Sequence, residues 1–204
     1  MRIGSLIKLK PEFEERYIIL HKHTFPGVLE RIRKSNIRNY SIYLRMGILF
    51  SYYVYIGENL DRDMAEIGED PVTRDWWKLT DPMQEPLETR KEGEWWADMD
   101  EIFHWKGINK PSESSRRSAF TARLLEGGEE SMIESLKIAY PVLAETADWK
   151  DIRSFSVFYK NGCLYSYVEF WDREPATGIQ ELRESLKAED ELDWATMKEV
   201  FHTD

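Results

Sequence analysis

Apolar and polar positions recur with two different periods along this chain. Residues 3–9 alternate at period two, the mark of a half-buried strand, whereas residues 12–34 carry Phe13, Tyr17, Leu20, Val28 and Ile32 at helical spacing. Pro26 falls inside that helical stretch, where it removes a backbone donor and clashes one turn back at a cost of about 3 kcal/mol, so a kink or restart is expected near Thr24. Two more period-two runs, 39–44 and 48–56, meet at Arg45-Met46-Gly47, which predicts a hairpin with glycine in its turn. A second helical region covers about residues 60–78. After a proline-rich connection and the pair Trp95-Trp96, a last strand runs through residues 99–104.

The same order then returns. Asn36-Ile37-Arg38-Asn39-Tyr40-Ser41-Ile42-Tyr43 has its counterpart in Asp151-Ile152-Arg153-Ser154-Phe155-Ser156-Val157-Phe158, a separation of 115 positions. Gly47–Tyr52 matches Gly162–Tyr167, and Phe25-Pro26 matches Tyr140-Pro141, at that same separation. Toward the ends, the run 100–104 matches 198–202 at a separation of 98, so the second copy is 17 residues shorter between its third strand and its last. Its expected elements are strands at 118–125, 152–159, 164–170 and 197–202 and helices at 129–145 and 176–187. Each copy reads β-α-β-β-α-β, the ferredoxin-like unit, and the fold class is therefore α+β. Helices cover one face of such a sheet and leave the other needing a partner, so two tandem units packed sheet to sheet are expected, as an internal dimeric barrel. The expected boundaries are a first domain at 1–105, a polar linker at 106–115 and a second domain at 116–204.

Composition narrows the function. Lys and Arg total 28 against 38 Asp and Glu, a formal charge of −10, which disfavours capture of nucleic acid or anionic membranes. The first residues lack the apolar segment of a signal peptide and no stretch is long enough to cross a bilayer, so a cytoplasmic protein is expected. Cys163, the one cysteine, sits in a strand-like run and is expected to be a small buried side chain. The four histidines show no metal-ligand spacing with carboxylates, and neither a metal nor another cofactor is expected. By contrast, 8 Trp and 10 Tyr are many for a chain of 204 residues. Aromatic faces pack on sugar C–H groups while Tyr O–H and Trp N–H reach hydroxyls, so a pyranose site is one use for them.

Several separated motifs resemble the L-rhamnose mutarotases. These are Tyr17-x-x-x-His21 with Pro26 five residues on, Asn39-Tyr40-Ser41-Ile42-Tyr43-Leu44, Asp75-Trp76-Trp77-Lys78 and Glu101-Ile102-Phe103-His104. The resemblance covers residues 1–105 and, more weakly, 116–204. It implies that His21 is the catalytic acid/base and that Tyr17, Tyr40, Trp76 and Trp77 bind substrate, a monosaccharide, without a cofactor. Anomer exchange needs a proton removed from the anomeric hydroxyl and one delivered to the ring oxygen, and imidazole, with a pKa of about 6.5, can do either near neutrality. Tyr17 and His21, four apart on a helix, project from one side. The chain departs from the family pattern at Lys22-His23, where Asn-Pro is usual, and at Phe25, where Trp is usual.

At the 115-residue separation His21 becomes Leu136, Tyr17 becomes Met132 and Tyr40 becomes Phe155, and the Trp-Trp segment is lost. The second copy is therefore expected to be non-catalytic, retained as a built-in partner, with the protein a monomer holding an internal pseudo-dimer or a homodimer. His23 is expected to face solvent, and the recurrence of His104 as His202 suggests a structural place. Two other readings stand beside the isomerase. One is a non-catalytic carbohydrate-binding or structural barrel in which His21 and the rings simply pack, and the other is a cofactor-free oxygenase of the same barrel class.

Overall fold

The computed structural model describes residues 1–107, 115–124, 126–146, 152–171 and 192–204. They fall into two units. The first comprises Met1–Met99 together with Lys198–Asp204, and the second Asp100–Met197.

In the first unit, β1 (Arg2–Leu9) leads through a 3-10 turn at Pro11–Phe13 into α1 (Glu14–Lys22) and α2 (Pro26–Lys34). The expected interruption is real: α1 stops at the His23 cap and α2 restarts with Pro26 in its first turn, where a proline's missing N–H is no loss. Then come β2 (Ile37–Arg45) and β3 (Ile48–Tyr55), paired Arg45 to Ile48 across Met46-Gly47. Both turn residues have positive φ, 48° and 74°, the mirror-image turn that matches strand twist and for which glycine is suited.

The second helical region is two helices rather than one, α3 (Leu60–Glu69) and α4 (Pro71–Thr80). The break is chemical: Asp70 caps α4 by accepting from the Thr73 N–H at 2.7 Å, and Pro71 follows at the first helical position. Short strands β4 (Gln84–Glu85) and β5 (Ala97–Asp98) both pair with β1 and carry no period of their own in the sequence.

The second unit contains β6 (Asp100–Lys106), β7 (Ser115–Arg123), α5 (Glu129–Thr146), β8 (Ile152–Lys160), β9 (Cys163–Trp171) and β10 (Ala195–Thr196). Pro141 lies inside α5, whereas its counterpart Pro26 starts a new helix. The helix expected at 176–187 lies outside the described residues. Cys163 is half-buried at the turn end of β9, not buried, because it pairs with Lys160 and Arg123 at the sheet margin.

The last strand of each repeat is exchanged. β6, from the first repeat, pairs with β8, while β11 (Lys198–Thr203), from the second, pairs with β2. The sheets run β11-β2-β3-β1-β4, with β5 also on β1, and β10-β7-β9-β8-β6. A boundary at residue 105 therefore does not separate the compact units; the chain leaves the first at Met99 and returns to it at Lys198. Lys106 and Ser115, expected in the linker, are strand residues. The two recurrent histidines sit at equivalent places in this arrangement: His202 Nδ1 lies 2.9 Å from Ser41 Oγ and His104 Nδ1 lies 2.9 Å from Ser156 Oγ. Each ties an exchanged strand to its host, as the sequence recurrence suggested. Among the described residues no helix is long and apolar enough to cross a membrane.

The exchange is checked with a disulfide. Ser41 and His202 are directly opposite in the ladder, a spacing that accommodates a disulfide. In a Cys163→Ser background, Ser41→Cys with His202→Cys is expected to oxidise to an internal disulfide seen by intact mass, whereas Ser156→Cys with His202→Cys stays reduced.

Candidate active site

The helix-bearing face of the first sheet changes character along its strands. Toward one end Ile7, Leu9, Leu44 and Leu49 form a packed core with Tyr17 and Ile18 of α1. Two residues further along β1 and β3 on the same face stand Ser5 and Ser51, register partners whose hydroxyls lie 2.8 Å apart. Here the sheet and helices no longer meet, and a cavity of about 540 Å³ opens. Tyr40 and Tyr53, edge to face with centroids 5.7 Å apart, form one side of it.

α1 supplies the chemistry. His21 is only 8% exposed, and its Nδ1 lies 2.9 Å from the Tyr17 carbonyl one turn back. A carbonyl only accepts, so Nδ1 carries the proton and donates, and Nε2 keeps its lone pair. Three rings hold the imidazole: Tyr17 at 4.0 Å, Trp76 edge-on at 5.1 Å and Phe201 edge-on at 5.8 Å between centroids. Burial pushes the His21 pKa from 6.5 down to about 4, only partly opposed by the hydrogen bond to Tyr17. The ring is thus neutral at pH 7, a base with a fixed tautomer.

The other groups are polarised by the same dry surroundings. Burial raises Tyr17 well above the usual phenol range and pushes Tyr40 up to about 12, so both stay protonated. Asp81, half-buried on the cavity wall, is raised by burial as well. Tyr17 Oη accepts from Gln84 Nε2 at 3.0 Å, and Gln84 Oε1 accepts from the Trp95 indole N–H at 3.0 Å. Trp76 is buried against His21 and Phe25, while Trp77, 36% exposed, lines the cavity from the solvent side.

All five residues singled out from sequence, His21, Tyr17, Tyr40, Trp76 and Trp77, line this cavity, and His23 is exposed as expected. Sequence reasoning missed Ser5, Ser51, Gln84 and Phe201. Phe201 was assigned to the other repeat, and Gln84 gives no sequence signal because its place follows from the two-residue pairing of β4 with β1.

The family model described as L-rhamnose mutarotase matches residues 2–105. The chain belongs to the L-rhamnose mutarotase family. Among curated relatives, the L-rhamnose mutarotase of Lactiplantibacillus plantarum is 25% identical over 104 residues, covering 51% of this chain and 97% of that one. That of Flavobacterium johnsoniae is 31% identical over 87 residues, 41% of this chain and 78% of the other. A solved Lactobacillus acidophilus structure, provisionally described as a monooxygenase, aligns over 99% of this chain and 95% of its own with a TM-score of 0.54 and 10% identity. At that identity it shows the α+β fold and nothing of the chemistry.

The family match ends at residue 105, and the second unit is built differently at the equivalent place. Phe120 faces Ser166 as Ser5 faces Ser51, and Phe120, Leu136, Phe155 and Val168 are all buried in one apolar cluster with Phe103 and Tyr140 against it. Ser166 Oγ has no hydrogen-bond partner among the described residues, since the hydroxyl it faces in the first unit has become a phenyl ring.

The depressed His21 pKa also sets a stability trend. Between pH 6.5 and about 4 the unfolded chain takes up a proton at this position that the folded site refuses, so stability is full above pH 6.5 and falls as pH drops toward 4. The loss is on the order of 3 kcal/mol for a shift of this size. Urea midpoints at pH 7.5 and 4.5 check it: His21→Gln is expected to lose less stability than wild type between the two values.

Proposed function

We propose that the protein interconverts the α and β anomers of L-rhamnose or a related 6-deoxy sugar, with His21 as acid/base. One observation carries the reading: a neutral imidazole, its tautomer fixed by the Tyr17 carbonyl, on the wall of an aromatic-lined cavity large enough for a pyranose. Family membership supports the same chemistry, since the Lactiplantibacillus plantarum L-rhamnose mutarotase is matched over 97% of its length.

The neutral ring takes the proton from the anomeric hydroxyl through Nε2. The C1–O1 bond gains double-bond character, the bond from C1 to the ring oxygen breaks, and the open chain rotates about C1–C2 before closing on the other face. Tyr40, Trp76 and Trp77 offer ring faces and edges to the apolar side of the sugar, and Ser5 and Ser51 offer hydroxyls at the floor. No step consumes a cofactor, because the reaction begins and ends with the same covalent groups on the enzyme. The second unit carries Met132, Leu136 and Phe155 where the first carries Tyr17, His21 and Tyr40, and on this reading it serves as a non-catalytic partner.

Saturation-transfer NMR on equilibrated L-rhamnose tests the reading. Wild-type protein is expected to accelerate anomer exchange, and His21→Ala to lower the rate by a factor of about 10² or more. Exchange no faster with protein than without it overturns the proposal, as does an equally active His21→Ala. A monosaccharide panel, read the same way, ranks 6-deoxy sugars against their 6-hydroxy counterparts. The acid limb of kcat/KM is expected near pH 4, where His21 protonates, and not near 6.5.

A further inference from the structure

Register partners make one continuous row across the first sheet. Phe201 of β11 stands opposite Ile42 of β2, Ile42 opposite Ser51 of β3, Ser51 opposite Ser5 of β1, and Ser5 opposite Asp98 of β5. Partners across a ladder point to the same face, and every member of this row lines the cavity. Neighbouring strands lie about 4.8 Å apart, so the row runs about 19 Å along the sheet. A pyranose with its hydroxyls covers about half of that length. The volume agrees, since a hexose fills on the order of 200 Å³ at the packing density of a protein interior. The cavity holds about 540 Å³.

The two ends of the row differ in chemistry. Phe201 stands edge-on to His21 at 5.8 Å, so the row begins beside the histidine. At the far end Asp98 follows closely on Trp95, whose indole N–H donates to Gln84 Oε1 at 3.0 Å and whose side chain is nonetheless 44% exposed. An indole pinned by its N–H yet open to solvent is arranged to stack on a ligand rather than to fill a core. Neither Trp95 nor Asp98 lies in the motifs that resemble the family. The charge is one-sided as well: among the described residues the lining holds the carboxylates of Asp81 and Asp98 and no Lys or Arg. Carboxylates accept from sugar hydroxyls and repel phosphates and uronates.

We propose that the cavity takes an uncharged reducing disaccharide, with the reducing ring at His21 and the second ring over the Ser5–Asp98 end of the row, against Trp95. This rests on the mutarotase reading above and names its substrate. Ring opening needs a free anomeric hydroxyl on the ring at His21, so the second ring is joined through one of that ring's other hydroxyls. The linkage between the rings is neither made nor broken. Asp98 accepts from hydroxyls of the second ring, while Trp95 packs on its C–H face.

The test measures anomer exchange by saturation-transfer NMR at pH 7.5 on L-rhamnose and on the three reducing disaccharides in which α-L-rhamnosyl is linked 1→2, 1→3 or 1→4 to L-rhamnose. At least one disaccharide is expected to show kcat/KM about tenfold above that of L-rhamnose, mainly through a lower KM. Trp95→Ala is expected to lower the ratio of disaccharide to monosaccharide kcat/KM about tenfold, and Asp98→Ala to lower it about threefold. The ratio is the readout because a merely structural loss, through Gln84 or through folding, lowers both rates alike. The inference is overturned if L-rhamnose exchange is accelerated while no disaccharide exceeds it, or if both substitutions leave the ratio unchanged; the mutarotase reading then stands without it. If neither L-rhamnose nor any disaccharide exchanges faster with protein than without, the mutarotase reading falls and this inference with it.

Discussion

The pairing of β11 with β2 is the constraint on which the first unit's cavity depends. Without it, β2 has an open edge of unpaired N–H and C=O groups, a liability that folded proteins cover. The strand that covers it comes from the far end of the chain and brings Phe201 edge-on to His21 at 5.8 Å and to Tyr40 at 5.5 Å. α1 in turn lies against β11. The tail of the second repeat thus closes the sheet, supports the helix that carries the histidine and supplies part of the wall around it. This gives the second repeat a physical part in the first unit, since the exchanged strand is contributed from it.

The contrast between the two units follows from what burial demands of polar groups. A polar side chain removed from water is costly unless it is hydrogen-bonded. In the first unit Ser5 and Ser51 satisfy each other, His21 is tied to a carbonyl, and Gln84 uses both ends of its amide. In the second unit the equivalent space holds Phe120, Leu136, Phe155 and Val168, which need no partners and pack into a core. Ser166 keeps a hydroxyl there, with no hydrogen-bond partner among the described residues. A hollow lined by satisfied polar groups forfeits packing that a filled core retains.

Much of this was legible in the sequence because the relevant information was local. The Tyr17–His21 spacing, the Pro26 restart, the Met46-Gly47 turn and the 115-residue repeat are properties legible along the chain, and the expected strands among the described residues fell within a few residues of their places. The five candidate site residues came from the resemblance of short motifs to a family, and each motif is a local run on one strand or helix. The strand exchange was not legible, because β6 and β11 are near-copies with the same pattern of apolar positions and a histidine that pairs with a serine on either host strand. Nothing local distinguishes pairing within a repeat from pairing across repeats. Gln84 was hidden for a related reason, as its role depends on β4 lying beside β1 and on Trp95 returning to it, contacts set by tertiary structure alone.

The burial that fixes these groups also sets the energetic problem that the site has to solve. A dry cavity keeps His21 neutral and Tyr17 protonated, and the same dryness penalises a charge on either ring. An isolated imidazolium or phenolate here would be expensive. Holding the two side chains one helical turn apart, with the backbone carbonyl of one fixing the ring of the other, makes α1 the single element that sets the geometry of both.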